Sequence, residues 1–181
     1  VSEETGKSIR LLELFSLPGI KHLNEYFNEK NKRKFENLNL INDNNSSPNN
    51  PYCPITLGVS FLDQINILEN LKKIEFKNVA YPIIFTSFIS RSSEIIGKKI
   101  YLKIDEKKIL LNLNVNIYAN FIDQEFPKNA NNTEIRFFDN KDNFTDEEWN
   151  SLYKLSENTF VEETDSLKEG AAGAGLTDND W

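Results

Sequence analysis

The C-terminal stretch GAAGAGLTDNDW, residues 170–181, combines small residues with side chains that carry hard oxygen atoms. Gly173 and Gly175 would let the backbone lie close to a ligand or another chain, because glycine has no Cβ. Asp178, Asn179 and Asp180 offer the oxygen ligands that Ca²⁺ and Mg²⁺ prefer, and an aspartate can act as a general acid or base. We treat all five as candidate binding residues, and the two aspartates also as weak catalytic candidates.

Phosphate binding by this glycine run is disfavoured by its spacing. G-x-x-G-x-G is not the dinucleotide order, no P-loop lysine follows, and few residues remain for the helix whose N-terminus would hold the phosphates. The segment DNKDNFTDEE, residues 139–148, lacks the central glycine of a calcium loop and has Lys141 at a ligand position. We therefore predict no metal site and no cofactor.

Three further side chains could do chemistry elsewhere in the chain. Arg91 and Ser92, in the run SRSS, could hold a carboxylate or phosphate, although a structural ion pair would also explain the arginine. Cys53 is the one cysteine, and it could be a reactive thiol or a buried bystander. His22 is the one histidine, open to a role as a general base or as a half-buried structural residue.

Charge and hydropathy exclude two classes of partner at this stage. The chain has a net charge of −7 from 28 acidic and 21 basic residues, and the basic residues are scattered along it, which predicts no nucleic-acid partner. The dense basic run at residues 30–34 is interpreted as a solvated helix face, with an anion-binding patch as the alternative. No stretch approaches the ~20 apolar residues of a membrane span, so we expect a cytoplasmic protein with no membrane partner.

The order of the predicted elements indicates an α+β fold in a single domain over residues 1–181. A helical pair (1–38) precedes an Asn/Pro-rich loop (39–54), a sheet region (55–138), a helix (145–159) and an ordered tail (160–181). The sheet is expected to be small and mainly antiparallel.

The N-terminal pair carries specific expectations. Ser2 is expected to cap the first helix. Gly6 disfavours that helix by about 1 kcal/mol relative to alanine, which suggests that another element packs closely there. In the second helix, Ile20, Leu23 and Phe27 form one apolar face.

The middle of the chain reads as β-rich. Gly58 argues against a long uninterrupted helix over residues 55–70, although Phe61, Ile65 and Leu68 suggest a helix in the second half of that segment. Pro82 is expected at a strand start or sheet edge. IYLKI, DEKK and ILLNLNVNIYANF predict a hairpin, in which alternate residues from Leu111 to Ile117 are buried. Residues 134–138 are a candidate further strand.

The C-terminal helix has the clearest local signal. Thr145 and Glu148 have the spacing of a capping box, in which each residue satisfies a backbone N–H of the other. Trp149, Leu152 and Tyr153, with Ser156, are expected to form its buried stripe.

Three motifs follow one another along the chain: EETGKSIRLLE with LPG after it, CPITLG, and TFVEETDSLKEGAAGAGLTDND. In this order they resemble a family of small uncharacterised bacterial proteins. There, an E-x-G-[KR]-x-[IV]-R helix leads to L-P-G, C-P-I-x-L-G follows, and T-[FY]-V-x-x-x-x-S-[RL] precedes G-A-G-A-G-x-x-D-N-D. The Asn-rich segment 39–51 and Leu167-Lys168 depart from that pattern. The family is a domain of unknown function, so the resemblance implies a recurring tail but no activity.

Two functions fit these observations. The first is a non-catalytic accessory or assembly module whose tail docks on its own domain or on a partner subunit, in a homo-oligomer or with a partner protein. The second is a small-molecule enzyme, or an organic-acid-binding protein, in which Arg91 anchors a small anionic ligand beside Asp178 or Asp180. A cleft that gathers Arg91, Cys53 and the terminal aspartates would favour the second.

Overall fold

The structure is a computed structural model and describes residues 1–111, 117–120, 125–139, 141 and 143–159. The helices are α1 (Ser2–Leu14), α2 (Gly19–Lys30), α3 (Pro54–Leu68), α4 (Pro82–Ile96) and α5 (Asp146–Glu157). The strands are β1 (Asn44–Ser46), β2 (Ile74–Ala80), β3 (Lys99–Ile104), β4 (Lys107–Leu111), β5 (Ile117–Ala119) and β6 (Asn129–Phe138).

One sheet contains the six described strands in the order β1-β2-β6-β3-β4-β5. β1 pairs with β2 in parallel, and every other neighbouring pair is antiparallel. The α+β class, the N-terminal helical pair, the mainly antiparallel sheet with its hairpin and the C-terminal helix are thereby confirmed. The predicted tail, residues 160–181, lies outside the described residues.

The chain divides into two compact units, Val1–Asn140 and Lys141–Trp181. The first unit contains α1 to α4 and the sheet, and the second contains α5. The single domain expected from the sequence remains a prediction.

Helix α4 forms the centre of the first unit. It contacts α1, α2 and α3 as well as β3, β4 and β6, and every residue from Pro82 to Ser90 is buried. Several hydroxyls along it donate to carbonyls of the same helix: Thr86 to Pro82 O at 3.1 Å, Ser87 to Ile84 O at 2.7 Å and Ser92 to Phe88 O at 3.0 Å. These hydroxyls stay paired when the helix is covered, whereas Oγ of Ser90 is buried with no hydrogen-bond partner among the described residues.

The strand expected at Pro82 is therefore wrong. Pro82 occupies the first turn of α4, where its missing N–H costs nothing because that position has no helical partner. Tyr81, with φ of 42°, turns the chain out of β2 and into the helix. The apolar run after Pro82 is continuous because every side of α4 is buried there.

The expectation that Gly58 interrupts a helix is also wrong. Gly58 lies inside α3, and a Cβ placed there would come 2.3 Å from Cδ2 of Phe88. The glycine allows α3 and α4 to pack closely, and this benefit outweighs its poor helix propensity.

Two details of α1 differ from expectation. The N-cap is Val1, without a side-chain hydrogen bond, and Ser2 is already helical. Gly6 has no atom within 4 Å of the position a Cβ would take, so no element packs against it. The space beside Gly6 is open.

The buried face of α2 is not the predicted one. Ile20 and Phe27 are exposed, Leu23 is partly buried, and the side chains of His22 and Tyr26 face the core. His22 and Tyr26 stand edge-on to the ring of Tyr81, with centroids 5.8 and 6.1 Å away. Aromatic packing places this polar face inward, and the apolar face is left at the surface.

The Asn/Pro-rich segment contains regular structure as well as loop. Asn44 to Ser46 form β1, and Tyr52 bridges to Val79 of β2. The side-chain amide of Asn45 donates to Asn42 O at 2.7 Å and to Glu75 O at 3.1 Å. Asparagine side chains therefore help to hold this segment on the sheet edge, in addition to the apolar packing of Ile41 and Tyr52 in the core.

The predicted hairpin is confirmed as β3 and β4, joined by a two-residue turn at Asp105 and Glu106. Asp105 has φ of 49°, and its carboxylate accepts from Asn132 N at 3.0 Å, which ties the turn to β6. Leu111 is buried as expected, while residues 112–116 lie outside the described part. The strand expected at 134–138 is the second half of β6.

The capping box of α5 is confirmed, with Glu148 N donating to Thr145 Oγ1 at 3.2 Å and Thr145 N donating to Glu148 Oε2 at 2.8 Å. The buried stripe is not found, because no residue of α5 is buried and Trp149, Leu152 and Tyr153 are all exposed.

No helix in the described part of the chain is long and apolar enough to cross a membrane.

Candidate functional site

The structure places Arg91 in an ion pair. Its guanidinium donates to the Glu4 carboxylate of α1, and both side chains are partly exposed. Ser92 turns away and donates to Phe88 O at 3.0 Å. Arg91 thus ties α4 to α1, which is the structural alternative to holding a ligand.

The remaining predicted site residues are not brought together with Arg91 by any described contact. Cys53 is buried at the start of α3. The five candidates of the tail, Gly173 to Asp180, lie outside the described residues. Within the described ranges, no group of three or more His, Cys, Asp or Glu residues is arranged to hold a metal ion.

A different site is present where α1, α2 and the start of α3 meet. A cleft of about 830 Å³ opens there to the surface. Its lining residues come from these helices and from the segment after α2: Val1, Ser2, Thr5, Gly6, Leu23, Tyr26, Phe27, Lys30, Arg33, Lys34, Phe35, Asn37, Cys53, Ile55 and Thr56. We call this the α1–α2 cleft.

The mouth and walls of the cleft are largely apolar. Gly6 leaves one wall open, because nothing occupies the place of its missing Cβ. Phe27 is 49% exposed and therefore offers its ring to the cleft, and Leu23 and Phe35 are partly buried against the core behind it. The apolar part of a ligand would bury apolar surface there that is otherwise exposed to solvent.

The floor holds a buried hydrogen bond. The hydroxyl of Tyr26 and the sulfur of Cys53 lie 3.0 Å apart. Burial first, and then the contact with Cys53, raise the pKa of Tyr26, so its hydroxyl stays protonated. The protonated hydroxyl of Tyr26 places a polar group at the floor of the cleft.

Three cations line the other side. Lys30 Nζ lies 5.9 Å from the ring centroid of Phe27. Arg33 stacks on Phe35 at 5.0 Å, and donates to Asn129 Oδ1 at 2.6 Å. These contacts hold the two cations in place beside apolar surface.

Lys34 differs from its two neighbours. It is exposed, and no ion pair or hydrogen bond joins its ammonium group to any of the residues that the structure describes. Arg33, in contrast, also faces Glu29, with Nη1 and Oε2 3.6 Å apart. Lys34 could therefore bind an anion without giving up an ion pair or a hydrogen bond to any described residue.

His22 lies beside this site but does not line it. It is buried, and within the described part of the chain its Nδ1 has no hydrogen-bond partner. Burial lowers the pKa of His22, and the carboxylate of Glu25 opposes that shift. A buried neutral imidazole is the structural alternative to the general base considered from the sequence.

Sequence reasoning found the cations of the cleft but assigned them mainly to a solvated helix face. Lys30 is the last residue of α2, whereas Arg33 and Lys34 follow the helix end. The available signal was a basic run with a phenylalanine at each end, Phe27 and Phe35, since each ring pairs with a nearby cation. The alternative interpretation, an anion-binding patch, stays a prediction.

Comparison with known proteins gives one match. A family described as "Protein of unknown function (DUF3726)" matches residues 1–52. No curated protein and no solved structure matches the chain. The match supports the expected similarity to a domain of unknown function. It ends before CPITLG and the C-terminal signature, so those motifs and a bacterial origin remain predictions. The matched residues include α1, α2 and the basic run, which form most of the cleft.

Proposed function

We propose that the protein is a non-catalytic accessory module that binds a small organic anion with an apolar body in the α1–α2 cleft. The observation that carries the proposal is the meeting of apolar walls and three cations in one open cleft. A volume of about 830 Å³ falls in the range of small-molecule sites. The ligand class is an aliphatic or aromatic carboxylate.

The two parts of such a ligand would be held by different forces. Burial of the apolar body against Phe27 and Leu23 contributes about 25 cal/mol for each Å² removed from water. The carboxylate would lie at the rim, near Lys34, where salt screens the attraction. Affinity should therefore depend mainly on chain length, and selectivity for acids mainly on the cations.

Calorimetric titration with octanoate and with octanol separates the contribution of the carboxylate from that of the apolar chain. We expect octanoate to bind more tightly, and Lys34→Gln to remove most of the difference between the two. Lys32→Gln is the matched control, because Lys32 is exposed and does not line the cleft. Equal binding of acid and alcohol, or equal effects of the two lysine variants, would count against the proposal.

Filling the cleft gives a second test. Gly6→Leu places an apolar side chain in the open space and raises helix propensity, so α1 should remain folded. We expect Gly6→Leu to abolish octanoate binding and Gly6→Ala to weaken it little. Unchanged binding by Gly6→Leu would place the ligand elsewhere.

We also propose that the C-terminal tail docks on a partner subunit, as part of the accessory role. Residues 141–181 contain 11 acidic and 3 basic residues, a net charge of −8, whereas residues 1–140 contain 17 acidic and 18 basic, a net of +1. This segregation favours a basic partner surface. The native mass of the full chain is compared with that of a chain ending at Thr159, which removes the whole tail and 6 of these acidic residues. Loss of a complex on truncation supports docking, and two equally folded monomers refute it.

A further inference from the structure

The sheet of the first unit has two unlike faces. Along β3, Ile100, Leu102 and Ile104 are buried, while Lys99, Tyr101 and Lys103 alternate with them on the opposite face. The period of two thus separates an apolar side, which α4 covers, from a polar side. Tyr101 and Lys103 on this polar side are only partly buried, and Lys99 is exposed.

Strand register gathers residues that are distant in sequence on this second face. Tyr101 lies opposite Arg136 of β6 and Leu110 of β4. Lys103 lies opposite Glu134 and Lys108. A hollow of about 290 Å³ forms on this face, and its lining residues are Tyr101, Lys103, Lys108, Glu134, Arg136 and Phe138.

This polar face of the sheet has more unpaired positive charges than unpaired negative charges. The Glu134 carboxylate is already engaged by Arg136, with Nε and Oε1 2.6 Å apart, and Lys73 pairs with Glu75 at 2.7 Å. Four lysines have no carboxylate partner among the residues the structure describes. They are Lys77, Lys99, Lys103 and Lys108. An uncompensated positive surface therefore extends across β2, β3 and β4.

Two aromatic rings lie within this surface. Phe138 is 46% exposed, and its ring meets that of Tyr101 edge-on at 6.5 Å between centroids. The Phe138 ring thus presents π surface to solvent beside unpaired lysines. Exposed rings among cations on an open antiparallel sheet can stack bases while the cations hold phosphates.

We propose that this face of the sheet binds single-stranded nucleic acid. Lys103 and Lys108 hold phosphates, and Phe138 with Tyr101 stacks one base. The basic residues are scattered along the sequence, but β-strand alternation and register bring several of them together on this face. The negative net charge of the whole chain is no obstacle, since it arises from residues 141–181. An acidic peptide would use the lysines but not the rings.

Fluorescence anisotropy of the full chain with labelled dT15, from 50 to 200 mM salt, tests the charges. We expect Lys103→Gln/Lys108→Gln to weaken binding and to reduce the slope of log K against log salt by about 1.4, or about 0.7 for each phosphate that the variant no longer neutralises. The control, Lys21→Gln/Lys32→Gln, removes the same charge from exposed positions outside this face. Equal losses in the two double variants would refute the site.

The rings are tested separately. Phe138→Leu keeps an apolar side chain against Tyr101 but removes the stacking surface, so affinity for dT15 should fall at least about five-fold. A 15-residue poly-glutamate peptide and a 15-base-pair duplex serve as competitors, and both should compete poorly. Equal competition by the peptide, an unaffected Phe138→Leu variant or no saturable binding would overturn the proposal. None of these results bears on the α1–α2 cleft.

Discussion

Gly58 of α3 lies directly against the ring of Phe88 of α4. A Cβ at Gly58 would stand 2.3 Å from Cδ2 and 2.4 Å from Cγ of that ring. Both residues are buried, and Phe88 is fully so. The closest approach of the two helices therefore depends on the absence of one methyl group.

Gly58→Ala should lower the free energy of unfolding by about 1–3 kcal/mol, because the ring must leave its position to admit the methyl group. Urea unfolding followed by far-UV circular dichroism measures the change. The double variant Gly58→Ala/Phe88→Leu should be destabilised by less than the sum of the single variants, because the smaller side chain relieves the clash.

The same substitution at Gly6 provides the control. Gly6→Ala meets open space in α1, so helix propensity should stabilise the protein by up to about 1 kcal/mol. Similar effects at both glycines would mean that the space around them does not decide the outcome.

His22 should make stability depend on pH. Its pKa is lowered in the folded protein by burial, so between that value and the ordinary pKa of about 6.5 the unfolded chain binds the extra proton. Stability is then complete above pH 6.5 and declines as the pH falls below it. Urea unfolding at pH 7.5 and 5.0 should show a smaller difference for His22→Gln than for the parent chain. An equal difference would show that the histidine titrates alike in both states.

The Glu4–Arg91 pair should stabilise the contact between α1 and α4. Both side chains are partly exposed, so we expect a coupling energy of about 1 kcal/mol from the variants Glu4→Gln, Arg91→Gln and their combination. The coupling should shrink as salt is added. Zero coupling would release Arg91 from this role and restore it as a candidate anion-binding residue.

Thr145→Ala should fray the start of α5, since it removes the acceptor for the N–H of Glu148. The expected loss is about 1 kcal/mol of helix stability, visible in the Cα chemical shifts of residues 146–150. Thr145→Ser keeps the hydroxyl and should leave those shifts nearly unchanged. If alanine and serine behave alike, the cap contributes nothing.

Local signals predicted the parts of the fold that local interactions determine. The capping box at Thr145 and Glu148 requires four neighbouring residues, and the hairpin around Asp105 requires two adjacent strands. The predictions for Pro82 and Gly58 were wrong because both depend on how α4 packs. Gly58 is favourable once Phe88 of α4 is in place. Pro82 begins a helix that is buried by elements distant in sequence, which the apolar run alone does not reveal.

The candidate site was partly visible for the same reason. The cations from Lys30 to Lys34 are evident in the sequence. The cleft is not, because it forms only where α1 packs near these cations and Gly6 leaves the space between them unfilled. The lysines of the sheet face are scattered in the sequence, because Lys103 and Lys108 are brought together with Arg136 only by strand register. The serines beside Arg91 suggested an anion-binding role. Its ion-pair partner, Glu4, lies 87 positions earlier, so the pair could not be predicted from neighbouring residues.

The position of β6 between β2 and β3 affects how the protein is made. β2 ends at Ala80 and β6 begins at Asn129, so 48 residues must be synthesised before these neighbours can pair. At ~5–20 residues per second, the unpaired backbone edge of β2 waits roughly 2–10 s for β6, and that of β3, which ends at Ile104, waits roughly 1–5 s. A nascent chain halted in this interval has two unfinished edges beside an apolar α4. Unpaired strand edges and exposed apolar surface make such a chain prone to aggregate during that interval.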